Sequence, residues 1–146
     1  MKIAIAADHG GFDQKQELVP YLAQLGHEVQ DLGPENDESV DYPDYAILVA
    51  RAVAEGSAER GVLICGTGIG MAITANKIHG IRAANVTSPE FAVLAREHNN
   101  ANVLALSARF VDLAINKAAV LAFLETDFAG GRHEPRVAKI MEAENR

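Results

Sequence analysis

The sequence predicts a single α/β domain in which a five-stranded parallel sheet carries helices on both faces. Short apolar runs alternate with longer amphipathic stretches along all 146 residues. This length suits one domain of ordinary size and leaves no room for two independent cores. Hydrophobic residues make up 49% of the chain and charged residues 23%, a balance typical of a globular protein. We therefore expect residues 1–146 to form one domain.

The predicted strands are short and apolar. The run KIAIAA at the N-terminus has the pattern of a buried strand, and GVLIC, ending at Cys65, is the clearest of the five. The run HEVQDL is closed by Gly33-Pro34. The full set covers residues 2–7, 27–32, 61–65, 81–86 and 102–106. Strands that alternate with helices in this way form βαβ units, and hence a parallel sheet.

Helices are predicted in the intervals between these strands. Pro43 stands at the start of the second helix. Proline is tolerated there because backbone N–H groups in the first turn make no hydrogen bond within the helix. Ser88-Pro89-Glu90 supplies an N-cap, a first-turn proline and a first-turn acid for the fourth helix. Gly130-Gly131 precedes the last helix. The first five are expected at about 17–25, 42–55, 70–77, 89–98 and 111–125.

Charge and composition exclude several classes of function. The 20 acidic and 13 basic residues give a net charge of −7, which argues against diffuse binding to nucleic acid or to an anionic membrane. The only cysteine, Cys65, cannot form an intrachain disulfide framework or a cysteine-built zinc site. No apolar stretch approaches the roughly 18 residues that span a bilayer, and no signal-peptide pattern precedes the first strand. We expect a cytoplasmic protein.

The candidate site lies where parallel strands end, because open α/β sheets bind ligands beyond the carboxyl ends of their strands. The segment Cys65-Gly66-Thr67-Gly68-Ile69-Gly70 joins a strand to a helix there. Its alternating glycines allow successive N–H groups to face one concavity, which suits a phosphate or a developing oxyanion. A tight turn without a ligand is an equally good interpretation of the glycines alone. The segment lacks both the dinucleotide fingerprint and the Walker A pattern.

Three other features could contribute chemistry, although each also has a simpler structural explanation. Cys65 could be a buried core residue, or a thiolate favoured by a helix N-terminus that acts as a base or nucleophile. Asp8-His9, at the end of the first strand, could cap a helix or perform acid/base chemistry. His98 could interact with the dipole of its helix. The five histidines show no metal-binding spacing, so no metal is expected.

Arg132 and Arg136 stand four residues apart, which places them near one face if a helix begins there. They could be a solvated basic helix start. However, the helix dipole disfavours cations at this end, and a bound phosphate would explain why they gather there.

Taken together, these segments resemble the type B ribose-5-phosphate isomerase family, which also includes isomerases of tetrose and hexose phosphates. The resemblance follows the chain in order from DHGGF at residues 8–12 through SVDYPDY at 39–45 and CGTGIGM at 65–71, then ANK at 75–77, GIRAA at 80–84, REHN at 96–99 and GGRH at 130–133. It implies a Rossmann-like, three-layer α/β/α domain. It also implies an aldose–ketose isomerase that uses no metal or cofactor.

The family assigns roles to the matching residues. The resemblance implies that Cys65 is the base that shuttles a proton between C1 and C2, since Met71 replaces the glutamate that serves in other members. Thr67 and the N–H groups of Gly66, Gly68, Ile69 and Gly70 would stabilise the enediolate. His98 and Asp8 would open the sugar ring. The remaining substrate contacts would come from His9, Tyr42, Asn99, Arg109, Arg132 and Arg136.

The resemblance also implies a homodimer or a dimer of dimers, with active sites built where two subunits meet. Its leading substrate pair is ribose 5-phosphate and ribulose 5-phosphate. The stretch after the fourth strand and Asn100 depart from the family's pentose pattern, which leaves tetrose, allose and galactose 6-phosphates as alternatives. A subunit that needs a paralogous partner is a third possibility, and a non-catalytic nucleotide-binding sensor domain is the alternative from a different class.

Overall fold

A computed structural model describes residues 1–146 as one α/β domain. The five strands are β1 Lys2–Ala7, β2 Glu28–Asp31, β3 Arg60–Cys65, β4 Ala83–Asn85 and β5 Val103–Ser107. The six α-helices are α1 Phe12–Gln24, α2 Tyr42–Ala54, α3 Ile69–Ala75, α4 Pro89–Asn99, α5 Leu113–Glu125 and α6 Glu134–Glu142. Two 3₁₀ turns, Gly131–His133 and Ala143–Asn145, flank α6.

The strands form one parallel sheet in the order β2-β1-β3-β5-β4. The central strand β3 pairs with β1 on one side and β5 on the other, and the register places Cys65 opposite Ser107 and Ile64 opposite Ala7. The carboxyl ends of these three strands therefore meet at one edge of the sheet. This confirms the predicted fold class, including the five-stranded parallel sheet.

Both faces of the sheet are covered by helices. One apolar cluster joins the sheet to α1, α4 and α5 through residues such as Leu18, Ala95 and Phe123. The other joins it to α2 and α3 and includes Val49 and Met71. Because the three inner strands β1, β3 and β5 are buried on both faces, they are nearly continuous apolar runs rather than alternating ones.

Several boundaries differ from the predicted ones, and β4 is half as long as expected. The predicted strand over residues 81–86 reduces to Ala83–Asn85. The Asn102 side chain explains its late start, because its Oδ1 accepts the Arg82 N–H at 2.8 Å and its Nδ2 donates to the Gly80 carbonyl at 2.9 Å. A side-chain amide thus satisfies backbone groups that a longer ladder would have used.

The first helix begins at Phe12, ahead of its predicted core. The Asp8 carboxylate explains this early start, since its Oδ1 accepts the Gly11 N–H at 3.0 Å just before the helix. None of the helices combines the length and the apolar character needed to cross a membrane.

Candidate active site

A cleft of about 510 Å³ lies at the carboxyl edge of the sheet, where β1, β3 and β5 end. Most of the residues predicted for the site line this cleft. The lining consists of Asp8, His9, Gly10, Tyr42, Cys65, Gly66, Thr67, Ile69, Gly70, Ile73 and Arg109. The sequence interpretation did not single out Ile73. Its position four residues after Ile69 on α3 is the signal that could have identified it.

Cys65 is the last residue of β3, as the sequence predicts, and is only 5% exposed. Its Sγ accepts a hydrogen bond from the Gly68 N–H at 3.1 Å. This bond is possible because Gly68 has a φ of +81°, which turns the chain sharply before α3 begins at Ile69. This N–H donor fixes the position of the sulfur beside the start of α3.

The strand β5 fixes the glycine loop from its other side. The Ser107 hydroxyl donates to the Gly66 carbonyl at 2.7 Å, and the Ala108 N–H donates to the Cys65 carbonyl at 2.9 Å. The guanidinium of Arg109 lies beside Gly66, where a Cβ would stand 3.4 Å from its Cζ. The loop therefore has a fixed backbone with a positive charge next to it.

The end of β1 contributes an acid and an imidazole to the cleft. Asp8 is 8% exposed, and its carboxylate accepts the Gly11 N–H. The Nδ1 of His9 accepts the Val40 N–H at 3.2 Å, which assigns the ring proton to Nε2 and orients the imidazole. Tyr42 lies against Gly70 so closely that a Cβ there would be 2.6 Å from the phenol ring.

Of the other predicted site residues, Gly68 lies within the glycine loop without lining the cleft, and four more do not line it either: His98, Asn99, Arg132 and Arg136. The helix α4 leads from the carboxyl end of β4 to the amino end of β5, so its C-terminus lies at the opposite edge of the sheet. Its 11 residues span about 16 Å. One chain therefore does not bring His98 to Cys65 or Asp8.

At that opposite edge, His98 belongs to a second cluster of polar side chains. The imidazoles of His98 and His133 are stacked, with ring centroids 4.4 Å apart and an interplanar angle of 15°. The predicted helix start at Arg132 is a 3₁₀ turn instead, and α6 begins at Glu134, so Arg136 lies in its first turn. Both arginines are exposed beside the histidine pair.

The electrostatics of this cluster act most clearly on His133. Limited hydration lowers the pKa of His133, and the positive charges of His98, Arg132 and Arg136 lower it further, while Glu97 acts in the opposite direction. The sequence interpretation assigned His133 no role. Its position directly after Arg132 was the available signal, but nothing in the sequence indicates that it stacks on His98.

The two edges of the sheet thus carry different sets of reactive and charged groups. The carboxyl edge holds a thiol, a carboxylate, backbone donors and a guanidinium, which together can move a proton on an anionic substrate and stabilise an oxyanion. The amino edge holds an imidazole pair with two arginines, a set that can supply an acid and bind a phosphate. An arrangement of this kind is typical of an enzyme that transfers protons on a phosphorylated small molecule.

Comparison with known proteins identifies the family. A family model described as ribose/galactose isomerase matches residues 3–140, and the chain belongs to this family. It is 48% identical to ribose-5-phosphate isomerase B of Escherichia coli (strain K12), over 99% of this chain and 97% of that protein.

Solved structures agree with this assignment. Ribose-5-phosphate isomerase B of Clostridium thermocellum superposes with a TM-score of 0.98 at 50% identity, covering 99% of this chain and 98% of that one. The Mycoplasma genitalium enzyme with bound ribulose 5-phosphate superposes with a TM-score of 0.95 at 46% identity, covering 99% and 97%. The resemblance seen in the sequence is confirmed.

Proposed function

We propose that the protein interconverts ribose 5-phosphate and ribulose 5-phosphate, with Cys65 as the base. The observation that carries this proposal is the position of the Cys65 sulfur, which accepts the Gly68 N–H in the lining of the cleft at the carboxyl edge of the sheet. The relatives described above share this chain's length and fold, and they are named for this activity.

The reaction begins with a phosphorylated aldose in its closed-ring form. His98 donates a proton to the ring oxygen as its bond to C1 breaks, and Asp8 accepts the proton of the C1 hydroxyl. The phosphate is held by His9, Arg132 and Arg136, with Asn99 and Arg109 contacting the sugar or the phosphate. Tyr42 lines the pocket beside the substrate.

Proton transfer then takes place at the glycine loop. The Cys65 thiolate removes the proton from C2, and the negative charge moves onto the C1 oxygen to give an enediolate. Thr67 and the N–H groups of Gly66 and Gly70 stabilise that charge, because the Gly68 N–H is donated to the Cys65 sulfur and the Ile69 N–H to the Thr67 hydroxyl. Proton transfer between the oxygens and return of the Cys65 proton to C1 complete the ketose. The reaction is redox-neutral because C1 is reduced while C2 is oxidised in the same molecule, so this scheme uses no cofactor.

The scheme requires two chains, since Asp8 and His98 lie at opposite edges of one sheet. Exposed apolar side chains support the pairing. Ile69 and Ile73, which are 54% and 59% exposed, stand at the rim of the cleft. Phe91 and Leu94 lie on the face of α4 that ends at His98, at the i, i+3 and i+7 spacing of one helix stripe.

We therefore propose a homodimer in which the α4 stripe of each chain packs against the cleft rim of the other. This arrangement completes two sites per dimer, and a dimer of dimers would preserve them. The proposed location is the cytoplasm, where a lone thiol stays reduced.

The test is conversion of ribose 5-phosphate to the ketose by the wild-type protein and by Cys65→Ala. Loss of the base should lower kcat by about 10³-fold. Met71→Leu is the matched control, because it alters a fully buried neighbour of the same loop while keeping the thiol. Full activity of Cys65→Ala would contradict the assigned role.

A panel of four-, five- and six-carbon sugar phosphates tests the substrate. Turnover of a tetrose or hexose phosphate without pentose turnover would refute the substrate and leave the reaction class intact. Tight binding of an adenine nucleotide with no isomerisation would instead favour a sensor domain.

A further inference from the structure

His133 is held against His98 by the backbone on both sides. The Ala129 N–H donates to the Glu97 carbonyl at 3.1 Å, which ties the incoming loop to the last turn of α4. The His133 N–H donates to the Gly130 carbonyl at 3.1 Å, which closes the 3₁₀ turn. His133 is 9% exposed, so its ring is fixed in the protein while His98 remains partly open to solvent.

The charges around the pair decide where a proton resides. His98 and Glu97 face His133 from α4, and Arg132 and Arg136 face it from its own segment. Two stacked imidazolium rings beside two arginines would repel one another, so the two rings are not both protonated near neutral pH. His133 is the more buried ring, and its lowered pKa keeps it neutral.

We propose that His133 is a positioning residue for His98: its ring face fixes the plane of the His98 imidazole that donates the proton in ring opening. This inference rests on the proposed function, in which His98 protonates the ring oxygen of the closed sugar. Stacking on a neutral ring also stabilises the charged one, because the face of an aromatic ring attracts a cation. His133 would thus act only on ring opening and not on proton transfer by Cys65.

The two substrates of the proposed reaction separate these steps. Ribose 5-phosphate is mostly a closed furanose and must be opened. Ribulose 5-phosphate is open-chain, because a five-membered hemiketal would need the O5 that carries its phosphate. Exchange of the C1 proton of ribulose 5-phosphate with D₂O therefore requires the Cys65 step alone.

The experiment measures kcat on ribose 5-phosphate and C1 exchange on ribulose 5-phosphate for His133→Ala, His133→Phe and the exposed control His79→Ala. His133→Ala should lower kcat by about 10-fold, because an unrestrained acid is seldom aligned, while exchange stays within about twofold of wild type. His133→Phe keeps a neutral stacking ring and should recover most of kcat. His79→Ala should match wild type in both assays.

Equal loss of both activities in His133→Ala, or no loss of either, would overturn the positioning role, as would a Phe variant no better than Ala. A wild-type protein without pentose isomerase activity would overturn the proposed function instead, so the two failures are distinguishable.

Discussion

Gly68→Ala tests whether the turn that directs an N–H at the Cys65 sulfur requires glycine. Two costs are expected. Gly68 has a φ of +81°, where a residue with a Cβ is strained by about 1–2 kcal/mol. The new Cβ would also lie 2.9 Å from the Leu106 backbone and would collide with the Asn85 side-chain amide.

The collision adds a cost that can be estimated from hydrogen bonds. The Asn85 Nδ2 donates to the Ala105 carbonyl at 3.1 Å and to the Thr67 carbonyl at 3.3 Å. Moving that amide loses both bonds, at about 1 kcal/mol each. Gly68→Ala should therefore lower the free energy of unfolding by about 3–4 kcal/mol in total.

Gly56→Ala is the matched control. Gly56 has nearly the same backbone conformation, with a φ of +82°, but no atom lies within 4 Å of its added Cβ. Gly56→Ala should lower the free energy of unfolding only by the backbone strain at a positive φ, about 1–2 kcal/mol. Urea unfolding of both variants at one fixed protein concentration measures the difference. Equal losses would refute the conclusion that packing against Asn85 and Leu106 requires a glycine at this turn.

Two further predictions concern stability. Lys15→Met removes an amine that is 1% exposed and lies 2.9 Å from both carboxylate oxygens of Asp31. Because Asp31 is 38% exposed and still accepts the Gly33 N–H, the free energy of unfolding measured in urea should fall by only about 1–2 kcal/mol. The exposed control Lys139→Met should lower it by less than about 0.5 kcal/mol. Folding lowers the pKa of His133 below 6.5, the ordinary pKa of a histidine. The unfolded chain therefore binds more protons than the folded one, and the free energy of unfolding falls as the pH drops below about 6.5. His133→Phe should reduce this fall in the melting temperature between about pH 7.5 and 5.5, and an unchanged pH profile would contradict the assigned electrostatics.

Much of the carboxyl-edge site could be predicted from the sequence, because its parts follow strands that are recognisable as continuous apolar runs. Cys65 closes GVLIC, and Asp8-His9 follows KIAIAA, so both are expected at the same edge of a parallel sheet. The sequence also predicts the glycine loop between β3 and α3, although it does not predict the hydrogen bond from the Gly68 N–H to the Cys65 sulfur.

Features that depend on residues distant in sequence could not be predicted. The Asn102 side chain shortens β4 through bonds to residues about 20 positions away. The stack of His133 on His98 joins two segments separated by all of β5 and α5. The separation of His98 from Cys65 follows from the direction of α4 and the strand order, which become known only with the assembled sheet.

The central claim, a site shared between two chains with Cys65 as its base, is tested most directly by mixing two inactive variants. Cys65→Ala and His98→Ala should each lose nearly all isomerase activity. Random mixing makes half of the dimers hybrids, and each hybrid has one site with both Cys65 and His98, so the mixture should recover about one quarter of wild-type activity. A co-expressed mixture that forms hybrids and yet stays as inactive as its components would contradict the shared site.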